Sequence, residues 1–307
     1  MTISSHDKEL IRLRALELGF TACGFAVAAP VETSAVEQYE NWLAQGRNDC
    51  MAYAANHMAL RFNPAELVPG AKTVISVALN YFPVQKQSAD APQFSMYAYG
   101  KDYHEVVRDK LRLLAQFINE TWQAESRVCV DTAPVMEKYW ARQAGIGMTG
   151  RNNLLIIPGK GSFFFLGELI TNLEIAPDAA CNESCGDCMR CVEACPGGAL
   201  SGDSLDARKC LSCQLIERRG ELPQWVQEKV GNRVYGCDAC QLCCPHNAKV
   251  VPCEVEEFAP SAEFLSLTLD DISSMTEERF ARLFSHSAVK RTKLAGLLRN
   301  AQMIIKK

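Results

Sequence analysis

Fifteen of the 307 residues are cysteine, and twelve of these fall between positions 181 and 253. Cys185-x-x-Cys188-x-x-Cys191-x-x-x-Cys195-Pro196 is followed by Cys237-x-x-Cys240-x-x-x-Cys244-Pro245, with Cys210 between the two runs. Three thiolates at three-residue steps let one short loop wrap three irons of a cubane. The fourth, after a wider step and before proline, reaches the other cluster in two-cluster folds. By that crossed logic Cys185, Cys188, Cys191 and Cys244 would hold one 4Fe–4S cluster, and Cys195, Cys210, Cys237 and Cys240 the other. Structural zinc also uses Cys-x-x-Cys pairs, but it does not call for three evenly stepped cysteines plus Cys-Pro, twice over. Spacing alone leaves Cys213 open beside Cys210. For Cys244 over Cys243 the argument is Pro245, which mirrors Pro196. Cys181 and Cys253 read as buried or incidental thiols outside the clusters.

Two neighbouring clusters form a wire for electrons and say nothing about a substrate. A plain ferredoxin needs about 60–80 residues on domain-size grounds, so the extra sequence should be where the electrons go. The cysteines divide the chain into residues 1–180, a mixed α/β domain, 181–253, the cluster module, and 254–307, a helical segment with a basic end. Within the last part, 254–278 carries eight acidic residues and no Lys or Arg, while 285–307 carries six basic residues and no acid. At 48% hydrophobic and 22% charged, the chain is an ordinary globular one, and its net charge of −4 excludes a generally basic nucleic-acid binder. No apolar run is long enough to span a membrane, and the N-terminus lacks a secretory leader. A reducing cytoplasmic setting therefore suits the clustered thiols as metal ligands.

The elements that must position this chemistry are legible in outline. Ser4 with Asp7 starts a helix carrying Leu10, Leu13 and Leu16 and stopping at Gly19. Thr73–Leu79 is a β-rich run, and Val107, Leu111, Leu114 and Ile118 mark an amphipathic helix over 102–122. Arg127–Val130 is a short strand ending at Asp131, followed by a helix from Pro134 to Ala144 with proline in its first turn. Leu154–Ile157 and Ser162–Leu166 flank a Pro158–Gly161 turn and predict a hairpin. The expected core is a sheet with helices packed on it.

Neither a G-x-G-x-x-G element after a strand nor a P-loop is present, so nucleotide chemistry lacks support. Asp102-Tyr103-His104 begins like a D-x-H-x-x-G cobalt-ligating element, but Val107 stands where glycine is required. Asp131 closes a strand before a helix, where α/β folds gather active sites; equally, an Asp there can cap the helix. Gly145, Gly147 and Gly150 suit close backbone approach to a large ligand, or a turn.

The chain resembles the epoxyqueuosine reductases of tRNA modification. The resemblance runs through Gly100–His104, Val130–Val135, Ala144–Gly147, Gly161–Leu169, both cysteine runs, Gly231–Asp238 and the late Lys290-Arg291…Gly296–Asn300, which is most of the chain. It implies a nitroreductase-like corrin-binding domain of α/β (α+β) class, related to reductive dehalogenases, followed by a bacterial-ferredoxin-like two-cluster module. It implies cobalamin as a cofactor beside two 4Fe–4S clusters. Reduced cobalt fed by the clusters would attack an epoxide carbon of the modified wobble base. Asp131 would be the proton donor, its pKa raised by burial against the corrin, and queuosine the product. Corrin contacts carried over by family position are Arg61, Asp131, Leu166, Leu169, Ser212, Asp238 and Ala239, with His104 a pocket residue rather than a cobalt ligand. The resemblance also places Cys210 and Cys244 on ligand positions.

The implied partner is a tRNA anticodon stem-loop, with Arg218 and Arg219 as phosphate contacts and an external electron donor of unknown identity. A single chain carries both cofactor types, so a monomer is expected. Lys138 stands where the family often has arginine, and Arg151 where it usually has lysine. Helical repeats that some relatives append find no room here. Two other readings share the cysteine pattern: a corrinoid and iron–sulfur reductase of a small molecule, and a non-enzymatic electron carrier.

Overall fold

The computed structural model describes residues 2–306. Four strands form one sheet: β1 (Ala22–Val27), β2 (Thr73–Asn80), β3 (Ser126–Cys129) and β4 (Phe164–Thr171). Their order is β1-β2-β4-β3, with every neighbouring pair antiparallel. β2, Thr-Val-Ile-Ser-Val-Ala-Leu-Asn, is buried along almost its whole length because helices cover both faces of the sheet. On one face α1 (Ser5–Glu17) and α2 (Tyr103–Trp122) pack Ile11, Leu111, Leu114 and Ile118 against Phe25, Ile75 and Leu169. On the other, α3 (Glu137–Gln143) packs Trp140 and Ala141 against Val74, Ala78 and Ile170. Side chains alternate faces along a strand, so Leu166, Glu168 and Ile170 of β4 all point toward α3.

The C-terminal part joins the first of these cores through Phe258, Phe264, Phe284, Leu297 and Ala301. The cluster segment has a small core of its own, Leu211, Leu215, Val226 and Val230, around α4 (Leu211–Ile216). The last helix, α5 (Lys293–Ile305), fastens that segment with polar bonds. Fully buried Asn300 donates to the carbonyls of Leu215 and Val234 at 2.9 and 2.8 Å. Arg299 donates to those of Arg218 and Gly220 at 2.8 and 2.9 Å. Helix α5 thus closes the small core with hydrogen bonds that would be costly to leave unmade.

Most predicted elements form. Ser4 and Asp7 make a reciprocal capping box on α1, and α2 buries the four expected apolar residues, with Asp102 as its N-cap. Three details differ. Leu10, Leu13 and Leu16 are 36, 54 and 43% exposed, while Ile11 and Ala15 are at 0%; the sheet takes the i, i+4 pair, and the three-residue leucine steps drift off that face. The helix expected from Pro134 starts at Glu137, because Asp131 adopts a left-handed φ of 45° and the chain turns before it can wind. Leu155–Ile156 pairs with Met148–Thr149, and a lone Ile157–Gly161 bridge closes the turn. The predicted hairpin partner, β4, already has β2 on one edge and β3 on the other.

Candidate active site and cluster cavities

Asp131 lies at the end of β3, where its strained backbone turns the carboxylate outward. Its backbone N–H donates to Glu137 Oε1 at 2.6 Å, so the first side chain of α3 holds the turn. This removes the helix-cap reading of Asp131, since the N-cap of α3 is Met136. His104 Nε2 sits 2.9 Å from Asp131 Oδ2, and His104 Nδ1 sits 2.7 Å from Asp102 Oδ1. Lys290, from the C-terminal segment, reaches Asp102 Oδ2 at 2.7 Å. Tyr103 also bonds to Asp131, its ring stacked between His104 and Phe165 at centroid distances of 4.1 and 4.3 Å. A continuous chain of polar contacts therefore runs Lys290–Asp102–His104–Asp131.

The electrostatics assign the protons. Burial works against charging His104, but its two flanking carboxylates outweigh that and raise its pKa to about 9. For Asp131 burial pushes upward, yet the bonds from His104 and Tyr103 hold it below the ordinary carboxylate range. At neutral pH the shared proton is on His104 and Asp131 is an anion. With the Asp131 side chain 52% exposed, those bonds outweigh the effect of burial. Beneath it, burial and the nearby Asp131 charge lift Glu137 to about 8. Glu168, at 0% exposure, is pushed well above the carboxylate range by burial and by Glu137. Its Oε2 has no partner, and its Oε1 meets Ser76 Oγ at 3.4 Å. A neutral carboxylic acid thus lies under the acid site.

The cysteines come together in two groups. Cys185, Cys188, Cys191 and Cys244 line one cavity with Arg151 and Asn152. Cys195, Cys210, Cys237 and Cys240 form a second group, near enough to influence one another electrostatically. Cys213 is occupied elsewhere, its sulfur 3.7 Å from that of Cys50, which leaves Cys210 for the cluster. Cys243 Sγ turns to the carbonyl of Cys240 at 3.6 Å. Arg151 Nε and Asn152 Nδ2 are buried without a protein partner, as donors facing cluster sulfides would be; the residues present fit a cluster.

The other candidates divide. Arg61 has a buried, unpartnered Nε and lies over the Tyr39 ring at 5.6 Å, which fits a donor to a corrin amide. Leu166 and Ser212 are half-buried. Leu169 is at 0% exposure, its side chain on the α2 face of the sheet, opposite Leu166. Asp238 accepts from Ser95 Oγ and from the Met96 backbone N–H, which ties the cluster loop to the first domain. Half-buried Ala239 follows it as the first residue of a short helix. Arg218 pairs with Asp49 at 2.8 Å. Arg219 donates to the carbonyls of Ile216 and Arg291 at 3.0 and 2.7 Å. Both arginines direct donors inward, joining segments of the protein. The glycines of 145–150 pack closely on neighbouring protein: a Cβ on Gly147 would lie 2.4 Å from the Ile156 carbonyl oxygen. Lys138 donates to the Asn153 carbonyl at 2.7 Å, linking α3 to the cluster-lining loop.

Asp102 and Tyr103 were visible to sequence reasoning only as neighbours of His104. Glu137, Glu168 and Lys290 were missed as site residues; for the two glutamates the available signal was a charge in an otherwise apolar strand and a charge at a helix start.

A family model described as "Epoxyqueuosine reductase QueG, DUF1730" matches residues 61–132, and one described as "4Fe-4S double cluster binding domain" matches 184–247. An epoxyqueuosine reductase of Leadbetterella byssophila is 43% identical over 300 residues, covering 97% of this chain and 98% of the relative. The one from Escherichia coli K12 is 36% identical over 293 residues, covering 93% of this chain and 77% of its own length. Among solved structures, an epoxyqueuosine reductase bound to an epoxyqueuosine-modified tRNA-Tyr stem loop superimposes with a TM-score of 0.89 at 30% identity, covering 98% of this chain and 81% of that one. The Streptococcus thermophilus enzyme gives 0.89 at 32% identity, covering 97% and 80%.

Proposed function

Since the chain belongs to the epoxyqueuosine reductase family, we propose that it reduces epoxyqueuosine to queuosine at the wobble position of tRNA in the cytoplasm, using cobalamin and two 4Fe–4S clusters. The observation that carries this reading is the Asp102–His104–Asp131 chain, opening outward from the domain to which the two cysteine quartets are tied. Cobalamin, when bound, supplies the low-valent metal that reduces the epoxide carbon. Arg61 would hold it through the unpartnered Nε, with Leu166 and Ser212 as half-buried contacts.

Opening an epoxide develops an alkoxide, and a placed proton donor contributes roughly 10²–10⁴-fold. Asp131 is the outlet of that proton and His104 its store. Covering the open side of Asp131 with ligand raises its proton affinity by desolvation, moving the shared proton from His104 toward the substrate oxygen. Asp102, anchored by Lys290, keeps the imidazole oriented and compensates its charge. Glu137 fixes the turn from which Asp131 points.

The partner is an anticodon stem-loop whose splayed bases can enter a pocket. Arg218 and Arg219 would contribute to that binding through their charge, since donors of both are engaged within the protein. Among the described residues no helix is long and apolar enough to cross a membrane. The test is anaerobic conversion of epoxyqueuosine-tRNA by the reconstituted protein with a strong reductant, read by nucleoside mass spectrometry. Loss of one oxygen from the base with wild type and none with Asp131→Asn supports the reading. No conversion despite full iron and cobalt loading overturns the tRNA substrate.

A further inference from the structure

Resting on the two-cluster reading, we propose that Arg151 and Asn152 donate N–H bonds to the cluster held by Cys185, Cys188, Cys191 and Cys244 and selectively raise its reduction potential above the value the thiolates alone would set. Asn152 is 5% exposed. Its Oδ1 accepts from the Leu154 backbone N–H at 3.2 Å, and that bond fixes which way the amide faces. The other end, Nδ2, is buried with no protein partner, in a residue that lines the four-cysteine cavity. A buried amide N–H left without an acceptor is costly, so a chain that keeps one here is keeping it for an acceptor.

Arg151 shows the same economy of donors. Its NH2 group donates at 2.8 Å to the carbonyl of Gly186, within the loop between Cys185 and Cys188, and NH1 donates at 3.3 Å to that of Gly202. These two bonds hold the guanidinium plane, and they leave Nε buried and unpartnered in a residue that lines the cavity. Lysine, the residue the family resemblance leads one to expect at this position, has no second and third nitrogen with which to hold the loop while presenting another donor. The group Cys195, Cys210, Cys237 and Cys240 has its own partners, the Ala199 backbone N–H at 3.2 Å from Cys195 Sγ and the charge of Arg233 near Cys237, but no buried unpartnered side-chain donor among the described residues.

One-electron reduction adds a negative charge to a cluster. Hydrogen bonds to its sulfurs and a fixed positive charge beside it stabilise the reduced state, and such bonds are among the factors that set iron–sulfur potentials. The inferred consequence is that loss of either donor moves the potential of this cluster and leaves the other in place.

The experiment is an EPR-monitored anaerobic redox titration of the full chain with iron counted before each run. Asn152→Asp keeps the acceptor for Leu154 and replaces the donor by a carboxylate oxygen; Arg151→Lys keeps the charge and removes the fork. In Asn152→Asp one of the two reduction steps should move to lower potential by at least tenfold in its equilibrium constant, about 59 mV for one electron, while the other stays in place. Arg151→Lys should move the same step in the same direction by less. Should Asn152→Asp fail to assemble its cluster, Arg151→Lys alone decides. Unchanged potentials at full iron content, or equal movement of both steps, overturn the proposal. A wild type that binds iron for fewer than two clusters would instead defeat the two-cluster reading beneath it.

Discussion

The acid site and the first cluster cavity lie on linked loops, with Lys138 bridging from α3 to Asn153, yet they are built on opposite principles. Along the chain that ends at Asp131 each donor meets an acceptor: Lys290 to Asp102, His104 to Asp102 and to Asp131, and the Asp131 backbone to Glu137. Around Cys185 and its partners, two buried donors are left over. A matched network holds a proton in a defined place; an unmatched one presents bonds to a group that is not polypeptide. The difference separates groups that do chemistry themselves from groups that serve an inorganic neighbour.

The largest effect that would test this contrast is loss of a ligand. Cys185→Ala should remove the first cluster and halve the iron bound per chain, measured by colorimetric iron assay, whereas Cys213→Ala should leave iron unchanged because that thiol meets Cys50 rather than a cluster. Next in size, Asp131→Asn should lower kcat by roughly 10²–10⁴-fold with iron content and both cluster potentials unaltered. A shift in the potentials would break the separation between the two sites.

His104→Gln should cost less, because Asp131 remains, and its signature is the pH profile. His104 is protonated below its raised pKa of about 9, so the wild-type kcat should hold through neutrality and decline as pH rises past 9. The variant should lack that alkaline limb. His104 also contributes to folding: the free energy gained from its raised pKa is fully present below about pH 6.5 and is lost as pH rises through 9.

The smallest expected effect belongs to Glu168→Gln. The folded protein keeps this carboxyl protonated while the unfolded chain ionises near pH 4.5. The unfolded state therefore binds fewer protons, and stability falls above that pH by up to about 1.4 kcal/mol per unit from this group. Glutamine cannot ionise, so denaturant melts from pH 5 to 8 should show a shallower decline in the variant, with little change in turnover at pH 7. A large loss of turnover would instead make Glu168 part of the proton path.

What could be read in advance follows the range of each interaction. Cluster ligation was legible because its spacing is a local property of loops: the quartet Cys185, Cys188, Cys191 and Cys244 is found lining one cavity. Asp131 was legible as a strand end, but its protonation was not. That depends on His104, 27 positions away, and on solvent reaching the carboxylate. Lys290 reaches Asp102 across 188 positions of sequence, and no periodicity announces such a contact. Leu169 is singled out by family position, whereas strand alternation alone says that its side chain joins the core beside α2. The leucines of α1 misled for a related reason, since apolar spacing marks a face without saying what will cover it.

The bond from Lys290 to Asp102 gives the order of synthesis a chemical meaning. Asp102, His104 and Asp131 are made well before Lys290, the cation that anchors their network. A chain that has not yet reached Lys290 carries the acid without its anchor. The charge pattern is complete only once the segment that bears Lys290 has docked on the first domain.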